Sequence, residues 1–247
     1  MPRDARELGS AWTRYQRHAY PQPAPDLARY VARYWVVSWR YREPYRQKIV
    51  PYPNVHLTFT GGRATVHGVA SRHQIRVLEG DGGVVGVEFR AGRFRPFLGA
   101  SVSALADRSV DACTVFGAGV PESPDVPEVE EFLRARLPEP DPRADQAAEL
   151  VAAIAETPGA TRVDKVAADA GLSVRALQRL FAEYVGIGPK WVIRRYRLHE
   201  VTERLAAGET PDWAALAAEL GYADQAHFVR DFRAMFGEPP TRYAERY

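Results

Sequence analysis

The stretch LGYADQAHFVRDFRAMFGEPPTRY, residues 220–243, decides the fold of the C-terminal half of this 247-residue chain. Gly221 can end a helix in the left-handed backbone conformation, and Asp224 follows at the position of an N-cap. The apolar side chains that recur at helical spacing after this turn are Phe228, Phe232, Met235 and Phe236. A helix, a tight turn and an amphipathic second helix, in this order, predict a helix-turn-helix.

An earlier part of the chain repeats this pattern. Gly171 precedes Gly221 by 50 residues, and after one inserted residue the offset becomes 51. The offset of 51 relates Ser173 to Asp224, Leu177 to Phe228, Arg179 to Arg230, Phe181 to Phe232, Gly186 to Gly237, Pro189 to Pro240 and Tyr196 to Tyr247. A constant offset over so many positions indicates two copies of one unit. We predict units at about 163–185 and 211–236, joined by one continuous helix over 190–206.

The second helix of each unit has an apolar stripe that packs and an opposite stripe that can contact DNA. Arginine pairs bidentately with guanine and glutamine with adenine in the major groove. The predicted base contacts are Arg175, Gln178, Arg179, Ala226, His227 and Arg230. The predicted phosphate contacts are Ser173, Lys190, Arg194, Arg195, Arg197, Gln225 and Arg233. For the three arginines of the joining helix, a solvated helix face is an equal alternative.

The charge distribution restricts where DNA can bind. The formal net charge of the chain is only +2, and residues 143–247 carry 14 basic and 15 acidic side chains. Residues 162–197 are the exception, with 8 basic side chains against 3 acidic ones. We therefore expect a local basic patch on the first unit and the joining helix.

The stretch VAADAGLSVRALQRLFAEYVGIGPKWVIRRYRL, residues 166–198, together with residues 220–243, resembles the AraC/XylS family of bacterial transcription regulators. With residues 145–156 as a first helix, the resemblance covers the last part of the chain from residue 145 onward. It implies an all-α domain of seven helices in which two recognition helices read successive major grooves. Family members often carry a polar residue where this chain has Ala226, so we expect the second helix to contribute less specificity.

The N-terminal half has a different texture. Strand-like stretches rich in β-branched and aromatic residues cover 34–41, 55–60, 64–69, 75–79 and 84–89. Proline-rich stretches at 119–127 and 138–142 mark a boundary. We predict an α+β chain of two domains, with a β-rich regulatory domain at 1–120, a linker with a short amphipathic helix at 121–142 and a DNA-binding domain at 143–247. The family resemblance implies that the first domain is a cupin-like antiparallel β-barrel with flanking helices.

In this family such a β domain often binds a small effector and assists dimerisation. Alternation along the strands would direct some aromatic side chains into a barrel lumen, although ordinary core packing explains any single one as well. The candidates for an effector pocket are Trp35, Trp39, Tyr52, His56, Phe59 and Glu88. The apolar stripe of residues 128–137 suits burial either against the barrel or against a second copy of the chain. The expected partners are therefore double-stranded DNA, a small-molecule effector and a second copy of the chain.

Other classes of function have less support in the sequence. The chain has no apolar run of membrane-spanning length and no signal-peptide pattern at its start, so we expect no membrane partner and a cytoplasmic location. Its single cysteine, Cys113, excludes an intrachain disulfide, and the scattered His56, His67 and His73 predict no metal or other cofactor. Two alternatives to an effector-controlled regulator remain. One is a ligand-independent regulator that uses its first domain for assembly, and the other is a repair protein that accepts alkyl groups on Cys113, which has no activating base beside it.

Overall fold

The N-terminal half forms one antiparallel sheet in the computed structural model, which describes residues 4–9, 11–157 and 162–247. Residues 1–3 and 10 of the predicted β domain and residues 158–161 of the predicted DNA-binding domain lie outside the described residues. The strands are β1 (Gln16–Ala19), β2 (Val31–Ile49), β3 (His56–Thr60), β4 (Arg63–His67), β5 (Gln74–Phe89) and β6 (Ser109–Asp111). Their order in the sheet is β1-β2-β5-β3-β4-β6, which makes β2 and β5 the central pair.

The two predicted strands at 75–79 and 84–89 are one strand, β5. The glycine-rich residues between them, which resemble a turn, continue to pair with β2, Trp39 opposite Gly82 and Trp35 opposite Gly86. A Cβ on Gly82 would lie 2.4 Å from the Trp39 indole, and one on Gly86 would lie 2.1 Å from the Trp35 indole. The glycines therefore keep the strand continuous because they leave room for two indole rings to lie on the backbone.

The two faces of the sheet differ. Register and strand alternation place Tyr34, Leu57, Phe59, Val66 and Val87 on one face, where all five side chains are buried. Short helices pack on this face: α1 (Arg95–Leu98), α2 (Ala112–Phe116) and α3 (Val126–Arg134). The opposite face carries Trp35, Trp39, Thr58 and the facing pair of His56 and Glu88.

Helix α3 corresponds to the predicted amphipathic segment. Asp125 caps it, and the Glu128 side chain completes a capping box. Its stripe of Val129, Phe132 and Leu133 is buried within the same chain, with the Phe132 ring edge-on to Phe116 at 5.4 Å. These side chains are therefore used in packing within the chain. The structure contradicts the other predicted use of the stripe, a contact with a second copy of the chain.

The regular secondary structure of the C-terminal half is all helical in its described residues. Its helices are α4 (Pro142–Glu156), α5 (Val163–Asp169), α6 (Val174–Leu180), α7 (Pro189–Ala206), α8 (Trp213–Glu219), α9 (Gln225–Phe236) and α10 (Pro240–Ala244), and a π-turn (Phe181–Val185) continues α6. These are the seven helices that the family resemblance implies. Within the described residues, no helix is both long enough and apolar enough to span a bilayer.

One continuous apolar core runs from the sheet into the helical half. It includes Phe89 and Phe94 of the β domain (residues 16–116), and Phe181, Leu198 and Phe232 of the helical domain (residues 142–247). The two domains are thus joined through packed side chains as well as through the linker.

Candidate nucleic-acid interface

The first helix-turn-helix unit is α5 followed by α6. At the end of α5, Leu172 N–H donates to Ala167 O at 2.8 Å and Gly171 N–H donates to Ala168 O at 3.0 Å. This pair of bonds is a Schellman motif, which requires the left-handed φ of +65° that Gly171 adopts. The Ser173 side chain then accepts a hydrogen bond from Ala176 N–H at 3.2 Å and starts α6.

The second unit, α8 followed by α9, repeats the two helix-end bonds 50 residues later and the cap bond 51 residues later. Tyr222 N–H donates to Ala217 O and Gly221 N–H to Ala218 O, each at 2.9 Å. Asp224 accepts from His227 N–H at 2.6 Å and starts α9. The duplication found in the sequence is therefore a duplication of backbone geometry.

Both recognition helices bury the predicted stripe. The buried side chains are Leu177, Leu180, Phe181 and Tyr184 in the first unit and Phe228, Phe232, Met235 and Phe236 in the second. In the second unit the Phe232 and Phe236 rings stack with their centroids 4.3 Å apart. This packing fixes which side of each helix can face a ligand.

All six predicted base contacts are exposed: Arg175, Gln178, Arg179, Ala226, His227 and Arg230. In the described part of the chain, the side chains of Arg175, Gln178, Arg179 and Arg230 have no hydrogen-bond or ion-pair partner. His227 lies 3.8 Å from the Asp231 carboxylate on the same helix. The two helices therefore offer donors that are open to a further partner.

The predicted phosphate contacts divide into two groups. Ser173, Lys190, Gln225 and Arg233 are exposed. Arg195 is 2% exposed, donates from Nε to Pro51 O at 2.5 Å and lies 3.9 Å from the centroid of the Tyr52 ring. The prediction of a phosphate contact is wrong for Arg195, because its guanidinium is buried against the β domain.

Arg194 and Arg197 are engaged with the second unit. Arg194 Nη1 lies 3.4 Å from the Asp231 carboxylate, and the Arg197 guanidinium lies 5.5 Å from the centroid of the Tyr222 ring. Both side chains are half-buried. They hold α7 against α9 and the turn that precedes it, so a phosphate would have to compete with these contacts.

The effector-pocket candidates do not form one lumen. Phe59 is in the core face of the sheet, and Trp39 lies on Gly82 away from the other candidates. Trp35 and His56 lie 6.4 Å apart between ring centroids on the opposite face. Tyr52 and Glu88 line a cleft of about 370 Å³ together with Arg33, Asn54 and Tyr196. The structure therefore places two of the six candidates in a cleft between the domains. The prediction of a pocket residue is wrong for Phe59, because its ring packs in the core.

The sequence carried no signal for Asn54 and Tyr196 as cleft residues. Asn54 is buried and donates to Phe89 O at 2.7 Å, and Tyr196 belongs to α7 of the helical domain. The same two residues also line a neighbouring cleft of about 430 Å³, whose walls include Arg29, Arg93 and Val151. Both clefts are lined by residues of both domains.

Polar contacts between the domains were likewise not predictable from the sequence. Trp191 Nε1–H donates to Ser71 O at 2.9 Å, and the Tyr52 hydroxyl is within hydrogen-bond distance of the His199 ring. Glu238 receives Lys48 Nζ and Arg246 Nη2, each at 2.7 Å. Burial raises the pKa of Glu238, but hydrogen bonds from Lys48 and Arg246 outweigh burial and lower it to about 2.

Comparison with known proteins covers both domains. Residues 166–246 match a family model described as a helix-turn-helix domain, and residues 20–111 match one described as a domain of unknown function (DUF6597). The chain is similar to the structure of a probable AraC family transcriptional regulator from Rhodopseudomonas palustris CGA009, with 30% identity, 39% of this chain and 92% of that chain covered, and a TM-score of 0.36.

Two further solved structures have comparable similarity. A transcriptional regulator of Chromobacterium violaceum, described among AraC-type DNA-binding domain-containing proteins, has 25% identity, with 40% of this chain and 86% of that chain covered and a TM-score of 0.35. The DNA-binding domain of AdpA, a global transcriptional factor solved in complex with a target DNA, has 27% identity. The match covers 44% of this chain and 94% of that chain, with a TM-score of 0.35. The helix-turn-helix match includes both recognition helices of this chain.

Proposed function

The helical domain of this chain belongs to the AraC/XylS family of transcription regulators, and on this basis we propose that the protein binds specific DNA sequences in the cytoplasm and regulates transcription. The observation that carries the proposal is the pair of equivalent units, each presenting exposed side chains with no partner in the described residues. In this proposal Arg175, Gln178 and Arg179 read one major groove, and Ala226, His227 and Arg230 contact the next.

The length of the joining helix supports binding to one side of a duplex. Helix α7 has 18 residues, which correspond to about 27 Å at about 1.5 Å per residue. Successive major grooves on one face of DNA are about 34 Å apart. A rigid helix of this length between the two units is compatible with two adjacent grooves.

Selection of bound duplexes from a randomised pool by the full chain tests this function. We expect an enriched motif with two half-sites about 10 base pairs apart. The Arg63→Ala variant, altered at the exposed first residue of β4, should select the same motif. If the wild-type chain enriches no motif, the proposed function is wrong.

We further propose that a small molecule controls this binding from the cleft lined by Tyr52, Glu88 and Tyr196. A ligand there would contact both domains, so it could favour one arrangement of them over another, which is the requirement for control by a ligand. Arg33 and Glu88 form an ion pair at 2.7 Å in this cleft, which suits a polar ligand.

Thermal-shift screening of small polar metabolites against wild type and the Tyr196→Ala variant tests effector control. A compound that stabilises only wild type and changes its affinity for the selected duplex supports the proposal. If no compound does so and sedimentation shows a dimer, the ligand-independent regulator that assembles through its first domain is the better description.

The alkyl-acceptor alternative has little support at its cysteine. Cys113 is exposed, and its backbone N–H donates to the Asp111 side chain at 2.8 Å. Partial desolvation and the neighbouring Asp111 carboxylate raise the pKa of the Cys113 thiol, which disfavours the reactive thiolate.

A further inference from the structure

The two recognition helices have the same length but end differently. Each runs 12 residues after its cap, over 174–185 and 225–236. In the second, Gly237 N–H donates to Arg233 O at 2.8 Å, which is the α-helical spacing. In the first, Gly186 N–H donates to Phe181 O at 2.8 Å, one residue further back, and residues 181–185 form the π-turn. The difference therefore lies in hydrogen-bond register, between units whose sequences match.

The π-turn releases one carbonyl, which the β domain uses. In α-helical register Gly186 N–H would donate to Ala182 O. Here Ala182 O accepts a hydrogen bond from Ser101 Oγ at 3.2 Å, and Ser101 lies in the β domain just before a 3-10 turn (Val102–Leu105). The helix therefore exchanges an internal hydrogen bond for one to another domain.

The two residues after Ala182 contact a single arginine of the β domain. Arg95 Nε donates to Glu183 Oε1 at 2.9 Å, and its guanidinium lies 5.4 Å from the centroid of the Tyr184 ring. The next contact is at Gly186, where an added Cβ would lie 2.8 Å from Val102 Cγ1. The β domain thus contacts the π-turn along its length.

The hydrogen-bond register of the π-turn determines how the first unit is oriented relative to α7. At equal length, the change from i−4 to i−5 hydrogen bonding leaves the residues after the π-turn about one residue behind α-helical register, which is about 100° of rotation about the helix axis. Such π-turns are rare, and they persist where surrounding contacts stabilise them. The side chains of Arg175 and Arg179 precede the π-turn, whereas α7 and the second unit follow it. The π-turn therefore sets the direction of the first set of readers relative to the second.

We infer that Arg95 and Ser101 are positioning residues for DNA recognition, which hold the π-turn and so fix the orientation of α6 relative to α7. The inference rests on the proposed function, because it concerns the use of α6 as a recognition helix. It assigns the β domain a part in sequence reading that requires no bound effector.

Amide hydrogen exchange of the full chain tests the contact without DNA. In Ser101→Ala and Arg95→Ala, exchange in residues 181–187 should become about fivefold faster, as loss of a hydrogen bond worth about 1 kcal/mol produces. Residues 232–238 of the second unit should be unchanged and serve as an internal control. Ser123→Ala, at an exposed loop position, is the matched control, and Ser101→Thr should restore slow exchange because it keeps the hydroxyl.

Binding to the selected duplex tests the consequence. The Arg95→Ala/Ser101→Ala variant should lose at least fivefold in affinity for the two-half-site duplex or select a changed half-site spacing, while a duplex with only the second half-site binds within twofold of wild type. The inference is overturned if amide exchange in residues 181–187 is unchanged in the single variants. It is also overturned if the double variant loses affinity equally for the first and the second half-site. If exchange responds as expected but wild type selects no DNA motif, the positioning contact stands and the proposed function fails.

Discussion

Replacing Glu238 by glutamine tests the polar contact that joins the end of the second unit to the β domain. Glu238 is 8% exposed and follows the C-cap of α9. Its carboxylate lies 2.7 Å from both Lys48 Nζ of β2 and Arg246 Nη2. Glutamine keeps the shape of the side chain but removes the charge, so Lys48 loses its carboxylate partner and Arg246 keeps only Glu7, at 3.3 Å.

The size of the effect follows from the pKa of Glu238. Hydrogen bonds from Lys48 and Arg246 overcome the effect of burial and lower that pKa from an ordinary value of 4.5 to about 2. At about 1.4 kcal/mol per pKa unit, the ionised carboxylate stabilises the folded chain by about 3 kcal/mol at neutral pH. Because the folded pKa is the lower one, this stabilisation is complete above pH 4.5 and is lost as the pH falls toward 2.

Urea denaturation of wild type and Glu238→Gln at pH 7 and at pH 3.5 measures the effect. We expect the variant to be less stable by about 3 kcal/mol at pH 7, and the difference to shrink by about 1 kcal/mol at pH 3.5. Glu209→Gln, at an exposed position, is the matched control and should change stability by less than about 0.5 kcal/mol. A difference below about 1 kcal/mol at pH 7, or one that widens on acidification, would refute the reasoning.

Three further substitutions test the readers, the core and the sheet. Arg179→Ala should weaken binding to the selected duplex by about 1 to 3 kcal/mol and relax the preference at one base pair, and an unchanged preference in a competition assay would remove Arg179 from the readers. Phe232→Ala should lower the free energy of unfolding by about 3 to 5 kcal/mol because the ring is fully buried; a variant that melts like wild type would show that this stripe is not the core. Gly86→Ala should cost about 1 to 3 kcal/mol, since its Cβ would meet the Trp35 indole at 2.1 Å. Gly83→Ala, whose Cβ would have only one ordinary contact at 3.5 Å, should melt closer to wild type, and equal losses in the two variants would contradict the role of the indole.

The helix-turn-helix units were predictable because their determinants are local. Gly171 and Gly221 end a helix, and Ser173 and Asp224 start the next, through hydrogen bonds that span three to five residues. The apolar stripes follow from helical periodicity, which the chain shows clearly in both copies. Whether the exposed side chains contact bases stays a prediction, since exposure is required for such contacts but does not prove them.

The β domain was less predictable because its determinants are distant in sequence. Gly80 to Gly83 resemble a turn by composition, yet pairing with β2 keeps them in one strand. Alternation identified residues that share a face, but it could not determine which face the helices cover. Phe59 is buried for that reason, while Tyr52 and Glu88 meet Tyr196 of a helix more than a hundred residues away.

The arginines of the joining helix show how helix geometry alone constrains function. Residues three apart lie on one side of a helix, whereas adjacent residues are about 100° apart. Arg194 and Arg197 accordingly both contact the second unit, and Arg195 alone contacts the β domain. The three charges therefore cannot form a single phosphate-binding surface. Because the helical domain has almost no net charge, affinity for DNA must come from local cations, which are the exposed side chains of the recognition helices together with Arg143, Lys165 and Lys190.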